Sequence, residues 1–238
     1  MIDKWKQKRI GYISASRLDD LMTKGRGKDW GQTAISYLYQ IEMERYLNEP
    51  PINRDAPALR FGREKEEYAV EWLKDNFSEN IRYYETDFDE KPFITVDWAR
   101  FGATPDVDIP NEDGNPEKIV EIKTTFSDGA IYNYFSPTKP YEKKRVLAFE
   151  EHRNQLAGQL LACPTCNTIY ILKYNPQRDD SEWDLRSPLD MTRGIMFEFK
   201  REEFGSYLDE MKDRIIKADQ YLNLGLELEG INDYYKKK

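Results

Sequence analysis

The sequence predicts an α/β (α+β) fold in which a mixed β-sheet is flanked by helices, and three observations predict it. Helical periodicity dominates the first 77 residues, β-branched and aromatic runs dominate residues 81–125, and a long helix, two strands and a terminal helix follow. No repeat, low-complexity block or Pro/Gly-rich linker interrupts this order, so residues 1–238 read as one domain.

The elements follow in chain order. Ser14 or Ser16 is placed to cap a short helix running through Met22, and Lys24-Gly25-Arg26-Gly27-Lys28 then reads as a glycine-broken loop. A helix is expected from near Gly31 to Leu47, ended by Pro50 and Pro51, and a third from about Ala58 to Phe77. Strands are expected at residues 81–88, 93–98, 100–109 and 118–125. Between the last two, Asn111-Glu112-Asp113-Gly114-Asn115 signals a turn, which makes them a hairpin. Residues 141–162 form a helix stopped by Pro164, strands follow at 168–174 and 195–200, and an amphipathic helix runs from Arg201 to about Leu224.

Composition narrows the function. A content of 39% hydrophobic and 13% aromatic residues in 238 is enough for a full core. Residues 1–10 are charged, and no run approaches the roughly 18 apolar residues of a membrane span, so a soluble, cytoplasmic protein with no membrane contact is expected. Cys163 and Cys166 are too few for a disulfide framework and suit a reducing compartment. The 36 basic and 44 acidic residues give a formal charge of -8, the wrong sign for a protein that coats nucleic acid non-specifically. An enzyme that uses several carboxylates and gathers its cations on one face escapes that objection. The cation clusters are Lys4, Lys6, Lys8 and Arg9; Lys24, Arg26 and Lys28; and Lys143, Lys144 and Arg145, each of which is more often plain solvated surface.

The chemistry sits in the hairpin. Strand alternation in Ile119-Val120-Glu121-Ile122-Lys123 points Glu121 and Lys123 to one face and Val120 and Ile122 to the other. Upstream, Thr104-Pro105-Asp106-Val107-Asp108 offers Asp106 and Asp108 at the same spacing, where the proline removes a ladder donor and leaves room for a bulge. Two carboxylates with a carbonyl or waters suit Mg²⁺, and a lysine beside them can orient or deprotonate an attacking water. Glu-x-Lys alone on a strand is commonly an exposed ion pair. Preceded about fifteen residues earlier by Pro-Asp, it is far rarer than its parts.

Two helices supply further candidates. On a wheel over residues 61–77, Phe61, Tyr68, Ala69, Trp72, Leu73 and Phe77 form the apolar arc, with Glu64, Glu67 and Glu71 opposite. Glu66 and Lys65 fall within the arc, so Lys65 has to snorkel and the Glu66 carboxylate calls for a partner or a metal, unless it merely decorates a frayed first turn. On the 141–162 helix, His152, Gln155 and Gln159 form a polar stripe beside Leu156, Leu160 and Leu161, facing either a cleft or solvent.

Together, Gly62-Arg63-Glu64-Lys65-Glu66, Pro105-Asp106, Glu121-Ile122-Lys123 and Gln155, with the opening stretch from Trp5 to Ser16, resemble the successive motifs of the lambda exonuclease (YqaJ-like viral recombinase) family, a branch of the PD-(D/E)xK nuclease superfamily with a restriction-endonuclease-like core. The resemblance runs from Trp5 to at least Tyr174. It implies a Mg²⁺-dependent exonuclease, with Mn²⁺ able to substitute, that degrades linear double-stranded DNA from 5′ ends and leaves 3′ single strands for recombination. It further implies a homotrimeric ring, a single-strand annealing protein as partner, and a bacterial or phage-infected host cell. Among site residues it implies Asp106 and Glu121 as metal ligands with the Ile122 carbonyl, Lys123 as the group that activates water, and Glu66 and Gln155 completing the site. Arg9, Ser16 and Thr104 are implied as the 5′-phosphate pocket, Thr104 being bulkier than the phage enzyme's serine, and the Lys24, Arg26 and Lys28 loop as a DNA guide. Two other functions fit the same residues: a different PD-(D/E)xK endonuclease or repair-complex nuclease module, and a catalytically silent DNA-binding protein on this fold.

Overall fold

Residues 4–50, 57–77, 80–84, 91–125, 127–176 and 193–224 are described in a computed structural model of the chain. Two sheets carry the architecture. The larger has five strands: β2 (Arg82–Tyr83), β5 (Val107–Pro110), β6 (Pro116–Thr124), β7 (Thr168–Tyr174) and β8 (Gly194–Lys200), hydrogen-bonded in that order. Only β6 and β7 pair in parallel; the other neighbours are antiparallel, so the sheet is mixed, as the sequence predicts. A small sheet orders β1 (Ile13–Ser14), β4 (Phe101–Ala103) and β3 (Ile94–Thr95), with β4 in the middle.

Helices cover both faces of the large sheet, which explains the near-continuous apolar runs of β6 and β7. One face, with Val107, Ile109, Val120, Ile122 and Leu172, packs on Ala69, Val70 and Leu73 of helix α4 (Pro57–Asn76). On the other face Ile119, Ile169, Ile171, Phe197 and Phe199 meet Leu156 and Leu160 of helix α6 (Tyr141–Ala162). That second core continues into α2 (Leu18–Leu21), α3 (Gln32–Leu47) and the C-terminal helix α7 (Tyr207–Leu224). A hydrophobic core on each side thus fixes β6, and with it the direction in which Glu121 and Lys123 point.

The glycine at 158 sets how closely α6 approaches the N-terminal segment. A Cβ there would stand 2.3 Å from Leu18 Cδ1 and 2.9 Å from Ala15 Cβ, so only glycine lets α6 lie against the 3₁₀ turn Ala15–Arg17. This contact brings Ser14 and Ser16 to the edge of the α6 polar stripe.

Several expectations are corrected. The strand expected at 100–109 is two strands in different sheets, because the chain leaves β4 at Thr104-Pro105-Asp106 before entering β5. Proline, unable to donate to a ladder, sits at that break. Strands expected at 81–88 and 93–98 shrink to β2 and β3, with residues 85–88 outside the described set, as is Pro51. Neither Ser14 nor Ser16 caps a helix: Ser14 precedes the 3₁₀ turn without a capping hydrogen bond. Helices α1 (Lys4–Arg9) and α5 (Asp128–Phe135) were not expected from periodicity, being too short to show one. The C-terminal helix begins only at Tyr207, after a 3₁₀ turn at Arg201–Phe204 and Gly205, whose φ of +50° breaks the run. Tyr68, placed in the apolar arc, is 46% exposed, whereas Glu64, Glu67 and Glu71 face solvent as expected.

Candidate active site

The break between β4 and β5 creates the site. Leaving the small sheet at Ala103, the chain turns at Pro105 so that Asp106 arrives beside β6 one register step beyond the last paired residues, Val107 and Val120. Its Oδ2 accepts the Ile122 N–H at 2.8 Å, tying the aspartate to the strand that bears the other two chemical groups. On the α6 face of β6, Lys123 Nζ donates to Glu121 Oε1 at 2.7 Å, which confirms the shared face read from alternation.

Glu121 is buried, and α6 holds it from above. Gln159 Nε2 donates to Glu121 Oε2 at 3.0 Å and to the Thr104 carbonyl at 3.0 Å, and Gln155 Nε2 donates to Oε1. The stripe of amides therefore faces the cleft. Gln159 belongs in the candidate set with Gln155; the i, i+4 spacing along the stripe was the available signal. His152, one turn earlier, points instead at Lys173 Nζ, 2.6 Å from its Nε2. Burial, with the charges of Lys173 and Lys123, pushes its pKa down to about 3, so it is neutral and away from Glu121.

Glu66 reaches the same space from α4. The helix passes close over the end of β6 at Gly62, where a Cβ would lie 3.3 Å from Thr124 Oγ1. The Glu66 side chain is 14% exposed and pairs with Lys91 Nζ at 2.8 Å. Lys91 was not singled out in the sequence, since a lone lysine outside any periodic element carries no pattern.

A cavity of about 280 Å³ joins these groups; Glu66, Asp106, Glu121, Lys123 and Lys91 all line it. Its electrostatics are those of crowded acids. Burial, and then the neighbouring Asp106 charge, push Glu121 up to about 7 and raise Glu66 as well. Lys123 is pulled down by burial, but Glu121 and Asp106 outweigh this and leave it raised. Among the described residues no three of His, Cys, Asp and Glu are gathered as a ready metal-ligand cluster. Instead each carboxylate is engaged by the protein, Glu66 by Lys91, Glu121 by Lys123 and the two amides, Asp106 by a backbone N–H.

The proposed phosphate pocket occupies the other wall. Arg9, Ser16 and Thr104 line the same cavity. The Arg9 guanidinium stacks over the Trp5 ring at 4.2 Å and donates to Ser16 Oγ at 3.4 Å, and Trp5 Nε1 donates to Thr104 Oγ1 at 3.4 Å. Three residues remote in sequence are thus linked through Trp5, which the sequence offered only as part of a motif. A second cavity of about 210 Å³ opens on the far side of Arg9 and Ser16, lined also by Arg17 and Tyr37.

Other candidates fall elsewhere. Asp108, two residues beyond Asp106, is fully buried against Arg82, which donates Nε to Oδ1 at 3.0 Å and Nη2 to Oδ2 at 3.1 Å, and Tyr84 Oη adds a third bond at 2.8 Å. It is structural. Lys24, Arg26 and Lys28 line neither cavity, and Lys24 pairs with Glu210 of α7 at 3.0 Å. Arg145 is held by the Glu198 carbonyl and Glu203. Cys163 and Cys166 are free thiols 2.9 Å apart at the end of α6, away from the acids.

A mixed sheet flanked by helices, with a Pro-Asp turn and a Glu-x-Lys strand meeting a helix-borne glutamate, defines a protein of the PD-(D/E)xK type. Over residues 4–164 the sequence matches the YqaJ-like viral recombinase domain, and the chain belongs to that family. Among solved structures it resembles an alkaline exonuclease (LHK-Exo) from Laribacter hongkongensis, at 20% identity and TM-score 0.64, covering 98% of each chain. The same enzyme in complex with dAMP matches with TM-score 0.65, at the same identity and coverage. A phage related exonuclease from Haemophilus somnus 129PT matches at 14% identity and TM-score 0.64, covering 90% of this chain and 94% of that one. No curated protein matches. Among the described residues no helix is long and apolar enough to cross a membrane.

Proposed function

We propose that this chain is a metal-dependent exonuclease that degrades linear double-stranded DNA from 5′ ends and leaves 3′ single strands for recombination. The observation that carries the proposal is the single cavity in which Asp106, Glu121 and Lys123 face Arg9, Ser16 and Thr104. Family membership and the exonucleases of similar fold support it.

The donor set fits a hard divalent cation. Burial and the neighbouring Asp106 charge raise the proton affinity of Glu121 and of Glu66, a cost that a bound cation would relieve. Gln159 Oε1 is also buried with no partner among the described residues, and the two acceptors on Nε2 fix that orientation of the amide. Asp106, Glu121 and the Ile122 carbonyl, with Glu66, would hold Mg²⁺ or Mn²⁺. Such an ion supplies Lewis acidity toward the scissile phosphate and lowers the pKa of water.

The chain's own residues do the rest. Lys123, fixed beside Glu121, orients the attacking water. Gln155 and Gln159 hold the Glu121 carboxylate in place, since a buried carboxylate with both oxygens bonded has few other rotamers. Arg9 offers a planar donor fork to a terminal phosphate, and the Ser16 and Thr104 hydroxyls add neutral donors. A closed oligomer, a trimer, would set an acidic exterior of net charge -8 around a basic channel for DNA, and a single-strand annealing protein would receive the product strand.

The test compares linear duplex DNA with a covalently closed circle of the same sequence. Degradation of the linear form with the circle left intact is expected. Equal cleavage of the circle would overturn the exonuclease assignment.

A further inference from the structure

The wall of the acidic cavity contains a cation that the reaction does not use. Lys91 is 7% exposed, lies outside any helix or strand, and places Nζ 2.8 Å from Glu66 Oε1. Lys123 also pairs with a carboxylate of the site, but its backbone is locked in β6 between β5 and β7. Lys91 belongs to no β-ladder among the described residues. Its four-carbon stem can swing the ammonium into the open cavity without moving the sheet.

An ammonium and a divalent cation seek the same carboxylate lone pairs, and Lys91 Nζ already occupies one Glu66 oxygen at 2.8 Å. We infer that Lys91 competes with the divalent cation for Glu66 and so sets the metal concentration at which the site fills. This rests on the metal-dependent function proposed above. The lysine holds one Glu66 oxygen, and the ion has to displace it to use that oxygen.

Isothermal titration calorimetry with Ca²⁺ alone, a hard oxygen-seeking cation, tests this without relying on turnover. Lys91→Met is expected to bind Ca²⁺ about tenfold tighter than the wild type, the scale set by loss of one charged hydrogen bond. Lys91→Arg is expected to stay near the wild type because it keeps a competing cation. In a Glu66→Gln background the Lys91→Met gain should vanish, since the competed carboxylate is gone. Lys91→Gln, neutral and polar, carries the same test if the methionine variant fails to melt cooperatively. Unchanged or weaker Ca²⁺ binding in the neutral variants, with wild-type binding intact, would overturn the inference and leave the metal-dependent function standing. A gain that persists in Glu66→Gln would overturn it too, by showing a diffuse charge effect. Absence of Ca²⁺ binding in the wild type and in the neutral variants alike would overturn the inference, because no ion would be there for Lys91 to exclude, and the Mg²⁺ and EDTA assay would then decide the metal-dependent function by itself.

Discussion

Gln159 ties Glu121 to Thr104: one amide nitrogen donates to the carboxylate and to the carbonyl, each at 3.0 Å. The residue is 1% exposed, so the link is protected from water and strongly directional. It couples the β6 carboxylate to the turn that delivers Asp106 and carries the Thr104 hydroxyl of the proposed phosphate pocket.

Gln159→Leu should therefore impair chemistry more than folding. A loss of about tenfold to a hundredfold in kcat is expected, the usual effect of removing a group that orients a ligand-bearing carboxylate. The melting temperature should fall modestly, because leucine fills the space and Glu121 keeps Lys123 and Gln155 on one oxygen but loses the donor to the other. Single-turnover rates with thermal melts check both halves.

The two aspartates of the hairpin should separate cleanly. Asp108→Asn breaks the Arg82 fork and is expected to cost about 1 to 3 kcal/mol of stability while cleavage continues. Asp106→Asn, at the cavity wall, should do the reverse. Urea midpoints and nuclease rates for the pair give the answer.

How far these roles were legible in advance differs residue by residue. The period-2 alternation of residues 119–123 placed Glu121 and Lys123 together, because a strand buried on both faces leaves its polar residues nowhere else to go. The long helices at 32–47, 57–76 and 141–162 were legible from periodicity and proline punctuation for the same reason. Short elements were not: β1, β3 and the 3₁₀ turn after Ser14 are fixed by tertiary contacts such as Gly158 against Ala15, which leave no local pattern. The same holds for Lys91, whose meaning comes from its pairing with Glu66, and for Asp108, which its bonds to Arg82 and Tyr84 set apart from Asp106.

Glu121→Ala and Lys123→Ala should both cut cleavage to a small residual rate, but in different ways. Loss of the carboxylate weakens divalent-ion binding, so raising Mg²⁺ should recover part of the residual rate. Loss of the ammonium slows the chemical step, and added Mg²⁺ should recover none. A magnesium titration of residual activity in each variant separates them, and full activity in either would remove that residue from the mechanism.

The proposed end recognition rests on the Arg9 stack on Trp5 and its contact with Ser16. Wild-type enzyme should digest 5′-phosphorylated duplex faster than the 5′-hydroxyl form. Arg9→Ala should erase most of that preference, since a charged hydrogen bond to phosphate contributes about 1.5 to 3 kcal/mol. Equal rates on both ends in the wild type would show that the pocket serves another purpose.

The carboxylates of this cavity are proposed to support metal-dependent hydrolysis of DNA, and release of acid-soluble nucleotide from uniformly labelled linear duplex measures that reaction itself. Purified protein should release nucleotide in Mg²⁺ and none in EDTA, and with Glu121 replaced by alanine the release at the same Mg²⁺ concentration should fall to a small residue. Release that persists in EDTA, or no release from linear DNA in Mg²⁺ or Mn²⁺, would contradict it.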